Sequence, residues 1–175
     1  MEWKVTVAGL SVTEYAVLGV LAEQPSHGFA IAKELGEGGE VGRILTVGRP
    51  LVYRALDRLV EGGFATVART EQDAGPRRVV YRVTEQGRRR LQEWLAEPVG
   101  HVRDMRIDLL LKLALLCRSE QSPIPLIRAQ KLTLRETLAA LGDTGSADHV
   151  ELWRQHNAMA AAAYLDDLEH LYDRA

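Results

Sequence analysis

The chain has 175 residues, 46% hydrophobic and 26% charged, with a formal net charge of −2 and one cysteine. That is a globular composition with chain enough for one domain or two small ones, and a single thiol excludes an internal disulfide framework. The longest apolar run, residues 109–117, is interrupted by Lys112 and is too short to cross a bilayer. A cytoplasmic location is therefore expected, with Cys117 as a buried thiol.

The net charge argues against a nucleic-acid partner, but its distribution does not. Residues 41–95 hold 11 Lys/Arg against 6 Asp/Glu, and residues 96–175 hold 9 against 12. A basic middle and a mildly acidic tail suit a DNA reader joined to a partner-binding half.

Trp3, Val5 and Val7 alternate with polar residues in a short strand-like lead of unassigned role. Ser11 to Glu14 has the spacing of a capping box. The helix it opens runs to about Glu23, with Tyr15, Leu18 and Leu21 or their neighbours inward, and Pro25 stops it. Ser26 is placed to cap a second helix with Phe29, Ile31, Ala32 and Leu35 toward the core. The glycine-rich stretch 36–42 lacks the strand and spacing of a phosphate loop and reads as a flexible turn. Ile44 to Val47 suits a short strand. Pro50 fits the first turn of a third helix, which ends at Gly62-Gly63. Residues 64–70 and 77–83 read as two strands of a hairpin, with Val79, Tyr81 and Val83 on one face. Thr84 caps a fourth helix ended by Pro98. Three helices, a hairpin and a fourth helix make the winged helix-turn-helix layout.

The remainder is helical. Residues 104–118 are apolar nearly all round, as in a central buried helix, with Asp108 and Lys112 paired across one turn. A second helix follows Pro125 and ends near Gly142. A last one begins near Ala147. In it Val150, Trp153, Asn157, Ala160, Tyr164, Leu168 and Leu171 follow three-four spacing, close to a coiled-coil seam. The expected fold class is mainly α: a winged helix-turn-helix DNA-binding domain over residues 1–97, with a small hairpin wing, and an all-helical dimerisation and effector domain over 98–175.

The third helix carries the functional argument. Val52, Ala55, Leu56 and Leu59 fall within about 100° of arc and form its core face. Arg54 points away from them, and Arg58 shares that outer half with Leu51 beside it. A guanidinium can bond two atoms of guanine or a phosphate. Arg58 has an alternative partner in Glu61, one turn on. Tyr53, at the edge of the core arc, can pack its ring and offer its hydroxyl to a phosphate. Arg49 precedes the helix. Arg77 and Arg78 sit near the hairpin tip, where arginine contributes salt-dependent affinity. The DNA-binding set is thus Arg49, Leu51, Tyr53, Arg54, Arg58, Arg77 and Arg78. Arg88, Arg89 and Arg90 read as a solvated charge run.

The five histidines show no metal-ligand spacing, and no catalytic set is visible. An enzyme, a cofactor and a metal are not expected. A winged helix used as a protein-interaction module, without DNA binding, is the alternative function.

Two stretches, 10–29 with its Pro25-x-His27-Gly28-Phe29 turn and 52–63 with its Tyr53-x-x-Leu56-x-x-Leu59-x-x-Gly62 helix, resemble the PadR family of transcriptional regulators. Residues 80–87 and 91–95 extend the resemblance over roughly the first 95 residues, and the rest is similar to the helical region of the family's larger members. Gly48-Arg49-Pro50 departs from the Ser or Thr usual before the recognition helix, and Phe29 stands where Tyr is usual. The resemblance implies a homodimeric repressor on an inverted-repeat operator, with Tyr53 and the outward side chains of the third helix on DNA. It also implies a small apolar or aromatic effector that alters the spacing of the two reading heads. Trp94, Trp153, Met159 and Tyr164 are the candidates to line an apolar cleft for it between the halves, with packing as the competing role of each.

Overall fold

The computed structural model describes residues 9–71, 78–141 and 148–174. The Trp3 lead, most of the hairpin tip including Arg77, and the turn at 142–147 lie outside the described residues. The chain forms two compact units, 1–91 and 92–175.

In the first unit, α1 (Val12–Glu23) opens with the expected capping box. The Glu14 N–H donates to Ser11 Oγ at 3.3 Å, and the Ser11 N–H donates to Glu14 Oε2 at 2.6 Å. Every residue from Glu14 to Leu21 is buried. The helix is therefore a central rod, because other elements of the unit cover it on several sides; α2, α3 and β3 all pack against it.

After Pro25 come β1 (Ser26–His27) and α2 (Gly28–Glu34). Ser26 does not cap α2. Its backbone pairs opposite Tyr81 in the sheet, one residue outside the helix, and its Oγ donates to the Gln24 carbonyl. His27 is the cap instead, its Nδ1 accepting from the Ala30 N–H at 3.0 Å. The glycine-rich stretch is a turn in which two glycines meet backbone closely. A Cβ on Gly39 or Gly42 would stand 1.7 Å from the carbonyl oxygen of Glu34 or Gly36. It leads into a 3-10 turn, Val41–Arg43. Residues 44–47 form no strand. Val47 is tied by a bond from its N–H to the Leu35 carbonyl at 2.8 Å.

Then follow α3 (Arg49–Glu61), β2 (Ala65–Glu71), β3 (Arg78–Val83) and α4 (Glu85–Ala96). The sheet is antiparallel in the order β1-β3-β2. Between Val67 and Arg69 the register slips, leaving Ala68 as an extra residue in β2. Val80 and Val83 lie on opposite faces of β3, yet both are buried. The alternation expected from the sequence is lost because β3 is the central strand and also meets α1 and α2.

The second unit continues through α5 (Val102–Asp104), a π-helical turn (Met105–Leu109), α6 (Leu110–Arg118), α7 (Ile124–Leu141) and α8 (His149–Asp173). As its composition demands, α6 is central, burying Leu111, Lys112, Leu113, Leu115 and Leu116. Lys112 turns to the carbonyl of Glu97, with its ammonium 4.7 Å from the centre of the Trp94 ring. Burial pulls its pKa down. Burial likewise raises that of Asp108, with Asp104 adding to the effect. Cys117 is exposed, contrary to expectation. It shares the half-covered side of α6 with Leu110 and Ala114, and its Sγ lies 3.3 Å from the Tyr172 hydroxyl. The buried Gln130 side chain accepts from the Val99 N–H at 2.6 Å and donates to the Val99 carbonyl at 2.9 Å, pairing a stretch of backbone that has no regular structure.

α7 and α8 pack together. Arg128 Nε donates to Glu169 at 2.7 Å, and Lys131 reaches both Glu169 and Asp166 at 2.6 Å. Among the described residues, no helix is long and apolar enough to cross a membrane.

Candidate nucleic-acid interface

α3 begins at Arg49 after Gly48, whose N-cap position supplies no side-chain cap, with Pro50 in the first turn. It ends in a Schellman closure. The Gly63 N–H donates to the Val60 carbonyl at 3.0 Å and the Phe64 N–H to that of Leu59 at 2.8 Å. Gly63 has φ 74°, a left-handed conformation that costs glycine nothing. Val52, Ala55, Leu56 and Leu59 are the buried residues of this helix. Arg49, Leu51, Tyr53, Arg54 and Arg58 are all exposed, so five of the seven sequence-predicted residues share one element and its outward side.

Three of these, Arg49, Tyr53 and Arg58, are anchored by other parts of the unit. The Arg49 guanidinium stacks 4.9 Å above the Phe29 ring. Arg58 is not paired with Glu61. Its Nε lies 3.2 Å from Oε1 of Glu14, on α1. Tyr53 is 41% exposed, and its ring lies on Gly28, where a Cβ would stand 2.6 Å from Cε1. Only glycine at the first position of α2 lets the ring lie there. Near it is Tyr81, whose hydroxyl pKa is raised by burial and by the nearby Asp57 and Tyr53. A hollow of about 370 Å³ opens beside the start of α3, lined in part by Phe29, Lys33, Thr46, Gly48 and Arg49.

Arg78 is exposed at the start of β3, opposite Glu71. The Arg88–Arg90 run is not simply solvated. Arg88 donates to the Ala22 carbonyl at 3.1 Å, and Arg90 lies over the Tyr15 ring at 5.8 Å. Both hold α1, Arg88 at the carbonyl end that favours a cation. The sequence shows neither this nor the Glu14–Arg58 pair, since both join residues far apart in the chain.

The aromatic candidates differ in exposure. Trp94 is buried on α4, whereas Trp153, Met159 and Tyr164 are exposed on α8. At 100° per residue, Trp153 and Tyr164 share an arc of about 80° with Val150, Asn157, Ala160, Leu168 and Leu171, and Met159 lies about 120° away from Trp153. That arc flanks the side on which Ala158 and Leu165 are buried. No group of three His, Cys, Asp or Glu able to hold a metal ion occurs among the described residues.

Residues 17–93 match the transcriptional regulator PadR-like family. The chain is 27% identical over 135 residues to the negative transcriptional regulator PadR of Bacillus subtilis, covering 77% of this chain and 71% of that protein. It is 28% identical over 92 residues to the probable transcriptional regulator Rv1176c of Mycobacterium tuberculosis, covering 53% of this chain and spanning about half (48%) of that protein. Among solved structures, Bacillus subtilis PadR in complex with operator DNA aligns with a TM-score of 0.49 at 20% identity, over 91% of this chain and 99% of the other. The Vibrio cholerae virulence activator AphA aligns with a TM-score of 0.41 at 21% identity, over 93% and 94% of the two chains. These regulators are not enzymes. Residues 17–93 thus match the PadR-like family, and the chain is similar to two transcriptional regulators.

Proposed function

We propose that this chain is a sequence-specific DNA-binding repressor that acts as a homodimer on an inverted-repeat operator. Residues 1–97 read the DNA, and residues 98–175 supply dimerisation and effector response. The observation that carries the reading is the division of α3. Its four core residues are buried while Arg54, Arg58, Leu51 and Tyr53 face outward. Such a helix can enter a major groove, with Arg54 and Arg58 on base edges or adjacent phosphates and Leu51 against a thymine methyl. Arg49, Tyr53, Arg77 and Arg78 hold the backbone. The negative regulator of Bacillus subtilis is consistent with repression.

Dimerisation uses the α8 arc, which leaves Trp153 70% and Leu171 62% exposed in the single chain. The pairing sets the two copies of α3 about one DNA turn, roughly 34 Å, apart. A small apolar or aromatic effector favours one separation over another, and Trp94, Trp153, Met159 and Tyr164 are its candidate contacts.

The test is fluorescence anisotropy with duplex DNA from the region upstream of the protein's own coding sequence, across a salt series. Affinity falls as salt rises, with a log–log slope of about −0.9 per phosphate neutralised. Affinity that is absent or indifferent to salt sinks the reading and leaves the protein-interaction module. Light scattering of residues 1–97 tests the dimer: a monomer is expected, and a surviving dimer removes α8 from the interface.

A further inference from the structure

Glu14 is buried, and its carboxylate has two partners. Oε2 accepts from the Ser11 N–H at 2.6 Å, and Oε1 lies 3.2 Å from Arg58 Nε. The first bond completes the capping box, but a glutamine side chain closes that box equally well. The box therefore does not explain a charge. A buried carboxylate without a cation is costly, and the cation supplied here comes from the exposed side of α3. The side chains of Arg58 and Glu14 are 62% and 6% exposed.

The geometry points to Glu14 as a positioning residue that determines the DNA specificity of α3, an inference that rests on the DNA-binding reading above. Glu14 engages the guanidinium through Nε. In this proposal the contact at Nε biases the orientation of the guanidinium plane, and the two Nη groups form the edge offered to DNA. That edge is the one that bonds guanine O6 and N7 together. A long side chain otherwise loses its rotamer freedom on meeting DNA. Here part of that ordering is already done in the free protein. α1 thus takes part in base reading without touching a base.

The experiment uses the full chain, the duplex that the wild-type chain enriches most from a random library, and a scrambled duplex of the same length. The readout is the ratio of the two affinities. In Glu14→Gln the box is kept and the ion pair lost. The ratio is expected to fall roughly twofold to tenfold, the ~0.5–1.5 kcal/mol scale of ordering one long side chain. Ser11→Ala, which loses only the cap, is expected to lower the melting temperature and leave the ratio unchanged. Glu14→Gln is expected to add nothing to Arg58→Ala. Should Glu14→Gln not fold, Arg58→Lys retains a cation for Glu14 and loses the planar edge, and its ratio is expected to fall as far. An unchanged ratio in Glu14→Gln or, in its place, in Arg58→Lys overturns the role of Glu14; so does a full Glu14→Gln effect in the Arg58→Ala background. A wild-type chain that enriches no duplex overturns the DNA-binding reading itself.

Discussion

Replacing Gly28 with alanine separates the recognition surface from the fold that carries it. The new Cβ would stand 2.6 Å from Tyr53 Cε1 and 2.9 Å from Cζ, against an ordinary contact distance of at least 3.4 Å. The backbone of Gly28 is not left-handed, and alanine favours a helix over glycine by up to about 1 kcal/mol. The collision is therefore relieved by the Tyr53 ring, which is partly exposed and free to swing outward. The helical gain and the lost ring packing nearly cancel, and stability is expected to change by no more than about 1 kcal/mol in a denaturant melt. DNA affinity is different. If the Tyr53 hydroxyl meets a phosphate, its displacement loses one hydrogen bond, about 0.5–1.5 kcal/mol, or roughly twofold to tenfold. The loss should be the same on specific and scrambled duplexes, because a phosphate carries no sequence. Tyr53→Phe should reproduce the affinity loss with the melt unchanged. A Gly28→Ala protein that loses more than about 3 kcal/mol of stability, or that binds DNA as tightly as wild type, would refute the reasoning.

Arg54→Ala should cost about 1–3 kcal/mol of specific binding by anisotropy if its guanidinium bonds a base bidentately; equal losses on both duplexes would make Arg54 a phosphate contact. Gln130→Leu should destabilise the chain by about 2–4 kcal/mol in chemical denaturation, despite its greater hydrophobicity, because the Val99 N–H and C=O lose their partner in a buried place; a neutral result would mean that water replaces the amide. Lys131 and Arg128 hold Glu169 down from an ordinary pKa of 4.5 to about 2. A depressed carboxylate stabilises the folded form fully above its unfolded pKa and loses that contribution as pH falls from about 4.5 toward about 2. Glu169→Gln should therefore flatten the acid side of the melting-temperature profile in that window; a profile identical to wild type would remove this pair from acid sensitivity.

Much of the winged-helix unit was legible because its signals are local. The capping box of α1, Pro50 and Gly62-Gly63 around α3, and the 3.6-residue period of Val52, Ala55, Leu56 and Leu59 depend on neighbours in sequence. β1 was missed because two residues carry no period, and Ser26 offered a more familiar cap than His27. The Cys117 expectation failed because an apolar run does not say which side of a helix faces outward. The candidate interface was readable as a set of side chains on one helix face, but not as a set of anchored groups.

Sequence alone determined which residues of α3 turn inward and which turn out, since helical pitch and side-chain polarity settle that within three turns. Tertiary structure decided what holds the outward groups: Glu14 for Arg58, Phe29 for Arg49, and the bare backbone of Gly28 for Tyr53. Each of these contacts joins separate elements. Its geometry follows from how helices and strands pack, and no pattern along a single stretch of chain encodes that.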